Sequence, residues 1–321
     1  MSGPKVKVVY IAGTGRTGST LVARVLGQLP KMVAIGEVRH LFRQGLLTLP
    51  PEIRCGCGQA FSLCPFWRDV RERLERRVED LPAELAFAQT SAPDRIRDVP
   101  WFFSPLRSRR FSDRLRRYRH LLLSLYRSVL DSTGAEVVID ESKHLAPLYL
   151  LAQCEDVELY VLHLVRDARG VAYSWSKQLR RPEFKDEDRY MYRYSVLRTS
   201  GSWLYRNCGA EFVRSFGTPY ARIRYENVIE HPRAVLLDAL GALGLPTDGL
   251  EALGRDRVFL GEDHIPAGNP SRFQRGETLL RLDDAWMREL SAGQRRLVTG
   301  LTWPLLARYG YLGSSPVRWQ P

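Results

Sequence analysis

The sequence predicts an α/β fold, with a parallel central sheet flanked by helices on both faces. Three observations predict it. The chain opens with an apolar strand (6–12) that runs through a glycine-rich turn (13–20) into a helical period (21–26). A second apolar run, 158–165, also passes through a turn into a segment of helical character. Between and beyond them, short β-branched runs alternate with helix-length amphipathic ones, the pattern of a parallel sheet covered on both sides. With 321 residues and 44% hydrophobic content the chain can bury a large core. It reads as one domain over 1–321, with 41–130 as a helical and loop insertion.

The first turn reads Gly13-Thr14-Gly15-Arg16-Thr17-Gly18-Ser19-Thr20. N–H groups at the start of the following helix lack intrahelical partners, so the turn is built to hold an anion, above all a phosphate. Gly13-x-Gly15-x-x-Gly18 fits the dinucleotide fingerprint, with Glu37 near the distance of a ribose-binding acid. The same glycines have the spacing of a nucleoside-triphosphatase phosphate loop, whose next residue is a lysine on the β- and γ-phosphates. Here that residue is Ser19, which argues against ATP hydrolysis in the usual manner.

Next comes Ile35-Gly36-Glu37-Val38-Arg39, where Glu37 can simply end a short strand. Residues 50–110 are the least legible. Cys55-Gly56-Cys57-Gly58 and Cys64-Pro65-Phe66-Trp67 bring three cysteines close in sequence. Three thiolates can join a histidine around zinc, but the spacing matches no standard four-ligand site; a disulfide is a second alternative, and reduced packing thiols with no metal are expected because a cytosolic location disfavours disulfides. Cys154 and Cys208 read as core residues. The stretch 92–105, with Trp101, Phe102 and Phe103, reads as a loop of exposed aromatics suited to a binding pocket. Arg107, Arg109, Arg110, Arg114, Arg116, Arg117 and Arg119 lead into an amphipathic helix with Leu115, Tyr118, Leu122, Leu125 and Val129 on its apolar face. Those arginines form either a solvated face or a cationic rim for an anionic ligand or a membrane surface.

The strand 136–139 is followed by Asp140-Glu141-Ser142-Lys143-His144, in which Lys143 reads as a turn lysine or an active-site cation. The strand 158–165 ends at Arg166-Asp167-Ala168-Arg169-Gly170. Arg166 therefore stands at the carboxyl end of a parallel strand, where open α/β sheets bind ligands, although a structural pair with Asp140 or Asp167 is the alternative. Ser174 lies about two helical turns on and can reach the same anion. A dinucleotide enzyme has no need of this second grip; a nucleotide with a separate 3′-phosphate does. A long helix is expected over 186–216, with Tyr190, Tyr194, Leu197, Trp203 and Leu204 buried. A strand at 219–225, helices at 231–243 and 283–309, and a glycine- and proline-punctuated loop over 261–276 complete the pattern. His40, His120, His144, His163, His231 and His264 are scattered and read as structural, with His40 a second candidate base beside Glu37.

At these residues the chain resembles the sulfotransferases that use 3′-phosphoadenosine-5′-phosphosulfate (PAPS), a family with a P-loop-like, nucleotide-kinase-like fold. Gly15-Arg16-Thr17-Gly18-Ser19-Thr20 is similar to the family's loop for the 5′-phosphosulfate, with Gly13-Thr14-Gly15 replacing its proline-containing start. Arg166 with Ser174 resembles the 3′-phosphate motif, Tyr225 within Arg224-Tyr225-Glu226-Asn227 the tyrosine-acidic segment, and Arg275-Gly276 the C-terminal arginine–glycine loop. The likeness covers about 5–40, 136–230 and 264–310. Glu37 is most similar to the glutamate base of tyrosylprotein and other Golgi-type enzymes, and Lys143 to a catalytic lysine. The resemblance implies sulfuryl transfer to a hydroxyl or phenol of a small molecule, sugar, lipid or peptide. It implies release of adenosine 3′,5′-bisphosphate, with Glu37 as base, Lys143 and Arg16 stabilising the leaving phosphate, and no metal required.

No signal peptide or apolar membrane span is read in the sequence, so a cytoplasmic, bacterial enzyme is expected. The formal net charge of +12 raises nucleic-acid binding as a rival. No helix-turn-helix, zinc finger or aromatic RNA-binding signature accompanies it. The alternatives are thus a P-loop-like kinase with an atypical loop, or a non-catalytic basic protein that binds nucleotides or nucleic acid.

Overall fold

A computed structural model describes residues 4–46, 53–179 and 190–313. At its centre β1 (Val6–Gly13) pairs in parallel with β3 (Val137–Asp140) on one side and β4 (Val157–Val165) on the other. β2 (Met32–Gly36) and β5 (Tyr220–Arg224) extend the sheet outward, giving the order β2-β3-β1-β4-β5, all parallel. β1 is apolar throughout because both of its faces are covered. Val6, Val8, Tyr10 and Ala12 face one core cluster, and Val9 and Ile11 face the other.

In chain order the helices are α1 (Ser19–Leu26), the single turn α2 (Val38–His40), α3 (Pro65–Glu75), α4 (Leu81–Thr90), α5 (Arg109–Thr133), α6 (Leu145–Ala152), α7 (Ala168–Ser176), α8 (Val196–Phe212), α9 (Tyr225–Glu230), α10 (Pro232–Leu243), α11 (Trp286–Glu289) and α12 (Ala292–Arg308). Residues of α3, α5 and α6 pack with one face of the sheet, while α1 and α10 contribute to the cluster on the other. A small antiparallel pair, β6 (Arg257–Leu260) and β7 (Gly276–Leu279), stands apart.

This topology locates a site. The chain leaves β1 toward β2 on one side of the sheet, and leaves β4 toward β5 on the other. The neighbours β1 and β4 therefore flank a switch point, and the crevice beyond their carboxyl ends receives both the 13–20 loop and Arg166.

Several expectations need correction. Residues 186–189 of the long helix lie outside the described residues. α8 begins only at Val196, where the Ser195 hydroxyl accepts from the N–H of Arg198 and caps it. Trp203 is buried as expected, but Tyr190 and Leu197 are exposed. The 283–309 segment is two helices, because Ser291 and Gln294 form a capping box that starts α12 afresh. Cys154 is buried, whereas Cys208 is exposed on α8. Phe102 is not an exposed loop aromatic; it is buried edge-on against Phe111 and Tyr149. Within the basic cluster, Arg117 pairs with Glu84 at 2.8 Å and covers the Phe87 ring, and Arg114 donates to the Ser91 carbonyl, so both tie α5 to the α4 region. Among the described residues no helix is long and apolar enough to cross a membrane.

Candidate active site

The turn after β1 is held by contacts that leave no room for side chains. A Cβ at Gly13 would fall 2.3 Å from the Leu164 carbonyl oxygen, so the close approach of β1 to β4 requires glycine there. Gly18, at φ 83°, caps α1, and a Cβ on it would lie 2.7 Å from the Tyr225 ring. Thr17 closes the turn by donating to the Thr14 carbonyl at 2.9 Å. Arg16 stands at φ 70° and Lys143 at φ 61°. Only Lys31 joins them as a non-glycine residue at positive φ among the described residues. A left-handed non-glycine residue costs on the order of 1–2 kcal/mol, and such strain clusters at functional sites. Arg16 turns its guanidinium over the Trp175 ring, 4.8 Å from the centroid.

Lys143 is no solvated turn lysine. Its side chain is buried, with the ammonium 3.1 Å from Glu37 Oε1, 3.3 Å from Glu141 Oε2 and 3.1 Å from the Ser19 hydroxyl, to which it donates. Thr20 donates to the same Glu141 oxygen at 3.2 Å, so the 13–20 loop and the segment after β3 are stitched together. Burial on its own would raise the Glu37 carboxyl, but Lys143, His40 and Arg206 outweigh it and hold that acid below the ordinary value. Glu141 goes the other way: burial and the neighbouring Glu37 charge raise it against the pull of Lys143. Burial would lower Lys143, yet the two carboxylates keep it above the ordinary lysine value. The result is an ionised Glu37 beside a firmly protonated Lys143. His40 Nε2 is 3.4 Å from Glu37 Oε2. Behind them the Arg206 guanidinium from α8 donates to the Lys143 carbonyl and helps hold its left-handed backbone.

Arg166 gathers the second group. It pairs with neither Asp140 nor Asp167; its Nη2 is 3.1 Å from Asp283 Oδ2, and its Nη1 donates to the Arg16 carbonyl at 3.1 Å. The guanidinium lies over the Tyr225 ring, 4.5 Å from the centroid, and the same ring meets Gly18. Tyr225 thus touches both groups. Ser174 is buried on α7, whose Trp175 carries Arg16. Asp283 also meets Lys177 at 3.3 Å. Arg275 is a different matter. It is half-exposed, pairs with Glu262 at 3.1 Å and donates to the Gly56 carbonyl, outside the Arg166 group, and Gly276 opens β7.

The match to known proteins decides the class. The family model described as "Sulfotransferase family" matches residues 9–249, a span that holds the loop, Glu37, Lys143, Arg166, Ser174 and Tyr225. The chain belongs to the sulfotransferase family. Among solved structures, the sulfotransferase domain of the olefin synthase of Synechococcus PCC 7002 is 16% identical, covering 95% of this chain and 96% of that one, with a TM-score of 0.49. A sulfotransferase from Alicyclobacillus acidocaldarius is 14% identical over 97% of this chain and 96% of its own, at a TM-score of 0.42. One from Mycobacterium avium is 13% identical over 95% of this chain and 77% of its own, at 0.46. No curated protein sequence matches the chain.

In this sulfotransferase a cavity of about 400 Å³ opens beside the Lys143 segment. Asp94, Arg95 and Ile96 from the segment between α4 and α5, His144 and Leu145, and Tyr205 and Arg206 of α8 contribute to its lining. The expected aromatics Trp101 and Phe103 do not line it; Phe103 packs instead on Tyr149, Phe212 and Phe216. Sequence reasoning missed Glu141, Asp283 and Arg206. Glu141 stands two residues before Lys143 and was within reach of inspection, whereas Arg206 and Asp283 meet the site only through the tertiary fold.

Proposed function

We propose that the protein transfers the sulfuryl group of PAPS to a hydroxyl or phenol and releases adenosine 3′,5′-bisphosphate. The observation that carries this reading is the presence of two adjoining cationic groups, one around the 13–20 loop and one around Arg166, with the Tyr225 ring against both. In this reading the loop N–H groups with Arg16, Thr17, Ser19 and Thr20 hold the 5′-phosphosulfate, while Arg166 and Ser174 hold the 3′-phosphate. Glu37 takes the acceptor proton as the acceptor oxygen–sulfur bond forms and the bond from sulfur to the 5′-phosphate oxygen breaks. Lys143 and Arg16 stabilise the charge that grows on that leaving oxygen. An ionised Glu37 beside a protonated Lys143 supports this division of labour. The acceptor approaches through the cavity that backs onto Arg206 and His144, which assigns part of its recognition to the insertion residues Asp94–Ile96.

The test is a thermal-shift series in which adenosine 3′,5′-bisphosphate raises the melting temperature far more than AMP, ATP or NAD. Equal shifts from AMP and the bisphosphate would remove the 3′-phosphate assignment, and Arg166→Ala is expected to erase most of the preference.

A further inference from the structure

Three cysteines close in sequence meet a histidine some 200 positions away. His264 Nδ1 is 3.3 Å from Cys64 Sγ and 3.7 Å from Cys55 Sγ, and the Cys57 and Cys64 sulfurs are 3.7 Å apart. All four potential ligand atoms lie within 4.8 Å of one another. A tetrahedral zinc with sulfur at about 2.3 Å and nitrogen at about 2.0–2.1 Å has edges of roughly 3.8 Å between sulfurs and roughly 3.6 Å between sulfur and nitrogen. The observed separations bracket those edges. A disulfide needs about 2.05 Å, and these cysteines are free thiols. We propose that Cys55, Cys57, Cys64 and His264 Nδ1 form a closed Cys₃His site for a structural zinc ion.

The surroundings are those of a thiolate site. The backbone closes tightly around the ligands, with the Gly58 N–H donating to the Cys55 carbonyl and the Cys55 N–H to the Gln59 carbonyl. Cys64 is also the N-cap of α3, where the helix end favours negative charge. Binding displaces three thiol protons and leaves the centre with a net charge of −1. Arg54 supplies compensating charge while donating to the Gly58 carbonyl, and Arg275, itself paired with Glu262, donates to the Gly56 carbonyl of the same turn that carries the ligands. Arg275, expected at a phosphate, thereby finds its place here. His264 is fixed before any metal arrives: its ring stacks on Phe66 at 4.7 Å, and its carbonyl accepts from Trp67 Nε1 at 2.7 Å. Thiolate sulfur with one imidazole in a tetrahedron selects zinc over hard cations.

The site fastens the insertion to the loop leading from β6 to β7. That loop is gripped from the other side by Arg24 of α1, which pairs with Asp263 and donates to the carbonyls of Gly261, Ser271 and Gln274. Between these two anchors Gly268 crosses Thr20, where a Cβ would come within 3.1 Å of the hydroxyl. The metal would therefore hold this loop over the start of α1, a structural duty separate from the chemistry proposed above.

The test needs neither donor nor acceptor. Full-length protein purified from unsupplemented cells without chelator is analysed for metals by plasma mass spectrometry, with about one zinc per chain expected. Cobalt(II) added to the reduced, metal-free protein should give thiolate-to-metal charge transfer and tetrahedral d–d bands. His264→Cys should retain the metal, while His264→Ala should lower zinc affinity more than about 100-fold, beyond the loss typical of an outer-shell change. Protein with less than a tenth of a zinc per chain and no thiolate-to-cobalt absorption would overturn the assignment. So would unchanged zinc affinity in both His264→Ala and Cys64→Ser.

Discussion

Lys143, whose backbone is left-handed, holds its ammonium 3.1 Å from the Glu37 carboxylate. The contact keeps Glu37 charged and therefore able to take a proton, and it also aligns the lysine between that carboxylate and the Ser19 hydroxyl. Glu37→Gln should lower turnover by roughly 10²-fold or more, with affinity for the bisphosphate nearly unchanged. Lys143→Ala should lower turnover and weaken donor binding together, since it removes charge at the phosphosulfate. Steady-state kinetics combined with calorimetric titration of the bisphosphate separates the two. Normal turnover in Glu37→Gln with loss in His40→Ala would transfer the base to the histidine 3.4 Å away.

Asp283 is the carboxylate partner of Arg166, the residue proposed above to hold the 3′-phosphate. Its carboxylate lies 3.1 Å from Arg166 and 3.3 Å from Lys177, and those two cations overcome its partial burial to hold it below the ordinary aspartate value. An incoming phosphate must compete with that charge. Asp283→Asn should therefore tighten bisphosphate binding several-fold while leaving AMP affinity much less changed, because AMP has no 3′-phosphate. A titration calorimeter reads both. Weaker bisphosphate binding in the variant would instead make Asp283 the residue that orients Arg166.

Much of this was legible in the sequence, and the rest was not, for physical reasons. The β1 and β4 strands announce themselves because burial on both faces demands continuous apolar runs, and the 13–20 turn because only glycine tolerates Leu164 and Tyr225 so close. The loop-to-Glu37-to-Lys143 grouping follows from parallel topology, which brings carboxyl ends of neighbouring strands to one edge. Less legible were the contacts that strand order does not dictate. His264 looked incidental because its three partners stand about two hundred residues earlier. Arg275, matched to a motif by local composition, pairs with Glu262 and donates to the Gly56 carbonyl, neither of which local sequence announces. Tyr190 and Leu197 were placed on a buried helical face, and the Ser195 cap shows that the helix begins after the first and is exposed at the second.

Sulfuryl transfer should continue at an undiminished rate in magnesium-free buffer. A kinase needs Mg²⁺ to neutralise a polyphosphate, whereas here Arg16 and Lys143 already supply positive charge beside the loop. The assay is turnover with magnesium omitted and then restored. A strict requirement for magnesium in the chemical step would favour the kinase reading.

The last prediction concerns stability rather than chemistry. His163 on β4 is wholly buried, with Nδ1 2.6 Å from the Tyr220 hydroxyl and Nε2 2.8 Å from Asn207 Oδ1. The Asn207 amide group donates to the Trp203 carbonyl at 2.7 Å, so Oδ1 is assigned as the acceptor facing the ring and Nε2 as its donor. Burial pushes the imidazole down to about 4, from an ordinary value of 6.5. Between those two values the unfolded chain binds a proton that the native chain refuses, so stability falls as the pH drops from 6.5 toward 4. Asp140 acts in the opposite sense over an overlapping range. Its buried carboxyl is raised to about 6, so the native state takes up a proton first and gains relative stability as the pH falls through that value. A whole-protein pH curve therefore blends opposing effects, and only a difference between variants isolates one group. His163→Gln should be less stable than the parent at pH 7, but the gap should narrow by about 2 kcal/mol at pH 5, the linkage of one proton over about 1.5 pH units. Urea unfolding of both proteins at the two pH values measures it. A gap that stays constant would mean that the native imidazole takes up its proton as readily as the unfolded one, and a gap that widens at pH 5 would mean that His163 is already protonated in the native state, with Asn207 and Tyr220 both accepting from it.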